Sequence, residues 1–132
     1  AHLEAMLQQE LATSDTAERR IRRFATQALR ALGATEGLAR EVLLELLRKA
    51  SGPGTALPYL ASVREPFTLI VREGQSAGDV RRDLDPTLLA ELVIGLLNTA
   101  LLGWLNDPGY PFEKRMTQFV DVIAELIRPR PV

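Results

Sequence analysis

The chain contains no cysteine and a single histidine, His2. The first absence excludes disulfides, thiolate metal sites and cysteine nucleophiles. The second leaves no metal-ligand cluster and no Ser-His-Asp set, so no metal and no other cofactor is expected. Gly74 and Gly78 have the wrong spacing for a phosphate-cradling loop, and no strand precedes them. A basic excess is lacking too: 16 Lys and Arg face 17 Asp and Glu, for a net charge of −1. Such a chain is a poor candidate for holding nucleic acid by itself. No uninterrupted apolar run reaches the roughly 18 residues of a membrane span. The longest, Leu88 to Leu105, is broken by Glu91 and Asn98. No signal-peptide pattern stands at the start, and the expected location is the cytoplasm. The chain opens at Ala1 inside what reads as a helix, without an initiator Met, so an upstream segment is expected.

What is present is helical. At 132 residues the expectation is one domain. It is rich in helix-forming Leu, Ala, Arg and Glu, with apolar residues at helical spacing nearly throughout. About six helices are predicted. The first runs from about His2 to Ala12. The second runs from Thr16 to about Leu32, with Ser14 or Asp15 as N-cap and Gly33 as a left-handed terminator. Its stripe is Ile21, Phe24, Ala25, Ala28, Leu29 and Leu32. A third covers Glu36 to about Ala50 and ends at Ser51-Gly52-Pro53-Gly54. A fourth spans about Ala56 to Ser76, kinked or restarted at Pro66. After a polar connection, Asp85-Pro86 opens a fifth that reaches about Asn106. A tight turn over 107–111 leads to the sixth, about Phe112 to Ile127.

The segment 86–106 is apolar nearly all round. A helix without a polar face must be covered on every side. Its own chain can wrap it, or a partner subunit can share it. The wide apolar arc of 112–127 favours the partner, through a four-helix interface across a two-fold axis. Gly95, Thr99 and Gly103 recur every four positions and let a second backbone approach. The expected dimer face is Leu92, Gly95, Leu96, Thr99, Leu102 and Gly103 with Met116, Phe119, Val120, Ile123 and Ile127.

Several short runs carry a family resemblance. They are Glu73-Gly74-Gln75, Gly78-Asp79-Val80-Arg81, Asp83-Leu84-Asp85-Pro86, Leu89-Ala90-Glu91-Leu92, Gly95-Leu96-Leu97-Asn98, Trp104-Leu105 and Asp107-Pro108. With these the stretch Phe67 to Ile127 resembles the C-terminal domain of the TetR family of bacterial transcriptional repressors; the earlier helices match only in length and order. The resemblance implies an all-α ligand-binding and dimerisation domain whose helix-turn-helix partner domain is absent from this chain. DNA would be bound only through that missing domain. The implied ligand is an apolar or amphipathic small molecule, and its binding would shift the first helix and so alter DNA binding by the missing domain. On this reading Phe24, Ala28, Phe67, Val71, Leu101 and Trp104 line the pocket, and Arg64, Thr68 and Asn98 supply polar contacts.

For Asn98 three readings stay open: a ligand contact, a device fixing dimer register, or a hydrogen bond within its own subunit. The cluster Arg19, Arg20, Arg22 and Arg23 reads as a solvated outward face, since Ile21 and Phe24 define the buried one. Asp83 and Asp85, beside Arg81 and Arg82, read as capping and surface pairing rather than acid–base chemistry, and no catalysis is expected. The alternatives are a helical dimeric interaction module and a lipid or small-molecule carrier, neither with a DNA-binding role.

Overall fold

A sequence dominated by helix formers gives helices, and among the described residues every regular element is an α-helix. The structure, a computed structural model, describes residues 2–34, 41, 45 and 58–131. In it α1 spans His2–Leu11, α2 Ala17–Ala34, α3 Pro58–Ala77, α4 Pro86–Asn106 and α5 Phe112–Ile127. The segment expected as a helix over 36–50 lies outside the described residues, apart from Glu41 and Glu45, which are helical and exposed. So does the break at 51–54.

Local chemistry sets the boundaries. Asp85 caps α4 by accepting from the Leu88 N–H at 3.3 Å, and Pro86 occupies the first helical position. The cap of α2 is Thr16, not Ser14 or Asp15. Its Oγ1 accepts from the Arg19 N–H at 3.3 Å, while Asp15 Oδ1 receives the Thr16 N–H at 2.8 Å. Gly33 does not terminate α2, which continues to Ala34. The only positive-φ glycine among the described residues is Gly78, at +87°. It follows α3, where a left-handed residue relieves the last carbonyls of a helix. α3 itself runs unbroken through the buried Pro66 and does not restart there. Pro66 has no N–H to offer the carbonyl of Ser62.

α3 lies against both α1 and α4, α4 against α5, and α2 against α1, α3 and α5. The main core unites Leu7 of α1, Ile21 and Phe24 of α2, and Phe67, Ile70 and Val71 of α3. Leu89 and Val93 of α4 and Ile123 and Ile127 of α5 complete it. Each such side chain contributes about 1.5–3 kcal/mol on burial. A smaller cluster of Ala25, Ala100, Met116 and Val120 closes the end nearest the α4–α5 turn. There Tyr110 lies over Gly103, where a Cβ would fall 2.4 Å from the ring.

Of the cluster read as a solvated face, Arg19 is exposed, whereas Arg20, Arg22 and Arg23 are drawn into contacts with other helices. Arg20 is buried and pairs with Glu73 of α3 while donating to the Thr13 carbonyl. Arg23 engages the buried Glu10 of α1 at 2.9 Å and Asp15 at 2.7 Å. Arg22 reaches Asp121 of α5 at 3.0 Å, and Arg19 reaches Asp15 at 3.4 Å. The cluster ties α2 to α1, α3 and α5, and its charge is used within the chain. Its partners hold these groups charged: the Arg23 guanidinium and the Thr16 N–H pull the Asp15 carboxyl from 3.8 to about 2, and Asp121 raises the pKa of Arg22.

Candidate functional site

The most conspicuous surface lies on α4. Leu88, Leu92, Gly95, Thr99 and Leu102 follow one another at four-, three-, four- and three-residue steps, the spacing of one helix face. Leu88 is 43% exposed and Leu92 42%, while Gly95 and Thr99 are exposed and Leu102 half-buried. A Cβ placed on Gly95 would meet no described residue within 4 Å. The Thr99 hydroxyl donates to the Gly95 carbonyl at 2.9 Å, so its polarity is satisfied inside the helix. On α5, Val122 is 52% exposed and Phe119 half-buried. By length and composition α4 would also suffice to cross a membrane, a test that a core helix passes equally well.

Burial divides the expected dimer face. Leu92, Gly95 and Thr99 stand on the surface, and Leu96, Leu102 and Phe119 are half-buried at its margin. Met116, Val120, Ile123 and Ile127 are buried in their own subunit's core. Gly103 lies under Tyr110 of the same chain, where its missing side chain makes room for the ring. Leu88 and Val122 are exposed apolar residues outside the expected set. Leu88 is one turn before Leu92 and Val122 one turn after Phe119, within helical reach of residues that the set includes.

The residues expected to line a pocket separate into two groups. Phe24 meets Phe67 edge-on, with ring centroids 5.3 Å apart at 88°, and Val71 lies one turn further along α3 in the same core. Trp104 instead stacks on Phe112 at 5.4 Å and 26°, towards the α4–α5 turn. Ala28 and Leu101 are buried. Thr68 is buried, but its hydroxyl donates to the Arg64 carbonyl at 2.8 Å and so is committed to its own helix. Arg64 is exposed and Asn98 half-buried.

The loop between α3 and α4 makes structural sense of the densest motif. Gly74 has no side chain because a Cβ there would lie 2.4 Å from Val80 Cγ2 and 2.9 Å from Asp79 Oδ1. Gln75 donates from Nε2 to the carbonyls of Arg81 and Leu84, at 3.0 and 2.9 Å. Arg81 grips Asp83 with two bonds of 2.7 and 2.6 Å. That fork holds the Asp83 carboxyl at about 2 instead of 3.8. Asp85 is the α4 cap. Both carboxylates are thus occupied by pairing and capping. Among the described residues no group of three His, Cys, Asp or Glu side chains is placed to hold a metal ion.

Comparison of the chain with protein-family models, with curated proteins and with solved structures finds no match.

Proposed function

We propose that this chain is the ligand-sensing and dimerisation domain of a TetR-type transcriptional repressor, with DNA contact supplied by a helix-turn-helix domain outside it. The observation that carries the proposal is the apolar face of α4, Leu88-Leu92-Gly95-Thr99, exposed among the described residues, with Val122 exposed on the neighbouring α5. Neighbouring antiparallel helices with such a face suit a four-helix interface formed with a second copy. A face of this kind is costly to leave in water, and contiguous exposed apolar patches on soluble proteins mark interaction sites. The resemblance of the 73–108 motifs to the family supports the same reading. So does the balance of charge, which leaves DNA binding to another domain.

The ligand reading rests on aromatic and aliphatic side chains, namely Phe24, Phe67 and Val71 of the main core and the buried Leu101 of α4. They would accept an apolar or amphipathic molecule, with Asn98 as the polar contact. Binding that favours one relation between subunits changes the spacing of two attached DNA-reading heads. No catalytic step is part of the proposal, and the cytoplasm is its setting.

Cross-linking tests the interface cleanly, because the chain has no cysteine of its own. Gly95→Cys introduces one thiol at the expected crossing point, where a disulfide needs Cα atoms about 4.4–6.8 Å apart. Mild oxidation should give a covalent dimer, whereas Arg72→Cys on the exposed side of α3 should stay monomeric on a denaturing gel. Equal cross-linking of the two variants would refute the α4 interface. The ligand half is tested by thermal unfolding with a naphthalene sulfonate probe. A ligand at a hundredfold its Kd stabilises by about 2.7 kcal/mol. No shift with this or other apolar probes in the folded dimer would favour a packed interaction module.

A further inference from the structure

We infer that the loop 78–85 is a rigid relay, one that ties the first turn of α2 to the last turn of α5 so that neither moves without the other. The inference begins with what the loop holds. Asp79 Oδ1 accepts the Ala17 N–H, at the start of α2, at 3.0 Å across 62 positions of sequence. Two residues later the Arg81 N–H donates to the Ile127 carbonyl at 2.8 Å, and its guanidinium donates to the Leu126 carbonyl at 3.3 Å. These are the terminal acceptors of α5, which no later helical residue satisfies. Arg82 closes the end of α3 in the same way, donating to the carbonyls of Gln75 at 2.6 Å and Ser76 at 3.3 Å. Asp85 opens α4. One short irregular segment therefore grips an end of each of four helices.

Between the two distant grips there is no slack. Val80 separates Asp79 from Arg81, is 1% exposed, and donates its N–H to the Gly74 carbonyl at 3.2 Å. Asp79 donates to that same carbonyl at 2.9 Å. Gly74 admits no Cβ against either residue. From the other side, Gln75 holds the Arg81 and Leu84 carbonyls. A close-packed segment with its polar groups paired transmits displacement rather than absorbing it. The α1–α2 corner, where the buried Glu10 meets Arg23 and the buried Arg20 reaches Glu73 of α3, is thereby connected to the helix pair that bears the exposed apolar face. The relay stands whether or not that face binds a second copy; only its regulatory use rests on the proposed function.

Amide exchange of the intact chain, read residue by residue by NMR, tests it. Asp79→Ala removes a cap from α2 and should speed exchange at Ala17 about fivefold. The relay requires the Arg81 N–H, which Asp79 does not touch, to accelerate by a similar factor. Reciprocity requires Arg81→Ala to accelerate the Ala17 N–H in turn. Thr16→Ala serves as the control, since it frees the Arg19 N–H but leaves the Asp79 grip in place. It should leave Arg81 within about twofold of wild type. Should Asp79→Ala not fold, Asp79→Asn, which keeps an oxygen acceptor without the charge, should move both sites in the same direction by less. Acceleration confined to Ala17, or an equal response of Arg81 to Thr16→Ala, overturns the relay.

Discussion

Replacing Gly74 by alanine puts one of the two tightest glycine sites among the described residues to a quantitative test. In an open helix this change would stabilise by about 0.8–1.0 kcal/mol, because alanine loses less backbone freedom on folding. Here the new methyl would sit 2.4 Å from Val80 Cγ2, 2.9 Å from Asp79 Oδ1 and 3.1 Å from Ala17 Cβ. Relief requires Val80 to retreat by about an ångström to reach ordinary contact distance. Val80 is buried, and its backbone and that of Arg81 are pinned to the carbonyls of Gly74 and Ile127. Overpacking of this kind costs about 1–3 kcal/mol. Displacing Asp79 from the Ala17 N–H adds about 0.5–2 kcal/mol as a lost cap. Set against the propensity gain, the net destabilisation is about 0.5–4 kcal/mol. For a chain of 132 residues, that lowers Tm by about 2–14 °C, using an unfolding entropy of about 2.1 cal/mol/K per residue. Thermal unfolding by circular dichroism at fixed protein concentration measures it. An unchanged or raised Tm would show that the loop yields freely, and would undo the reasoning for both the motif and the relay.

Four further outcomes follow from the same structure. Gly103→Ala should destabilise by about 1–3 kcal/mol in urea titration, because Tyr110 occupies the space its Cβ needs. Gly95→Ala should separate a free face from a covered one. With nothing within 4 Å among the described residues, it should stabilise an isolated chain by about 1 kcal/mol, but it should raise the dimer Kd if a second backbone crosses there. Leu92→Glu should give a folded monomer, read by light scattering together with unchanged helicity. Acid sensitivity follows from Asp15 and Asp83, each lowered from 3.8 to about 2 in the fold. Depressed carboxyl values contribute stability fully above pH 4, and that contribution fades as pH falls towards 2. Urea midpoints should drop across that window, and Asp83→Asn should flatten the drop.

How much of this was readable in advance depends on the range of the interactions. Helix periodicity and the Asp85-Pro86 start signal are local, and they placed α4 and α5 at their observed boundaries. Gly33 was not a stop, since α2 continues to Ala34, whereas Gly78 is needed for the turn that brings Asp79 and Val80 back to the Gly74 carbonyl. Arg20 and Arg22 were misjudged because their partners are remote: Glu73 is 53 positions from Arg20, and Asp121 is 99 from Arg22. The broad arc of α5 was apparent, but spacing could not tell its inward edge, Met116 to Ile127, from the outward edge at Val122. The small residues of α4 look alike in sequence and differ in surroundings, Gly103 making room for a ring and a Cβ at Gly95 meeting no described residue.

The claim on which the function turns is that a second copy covers Leu88, Leu92 and Gly95. Sedimentation equilibrium of the unmodified chain at micromolar concentration tests it most directly. The predicted mass is twice the 14.6 kDa of one chain, reverting to a single chain in Leu92→Glu. A well-folded wild-type species of 14.6 kDa throughout that range would contradict it.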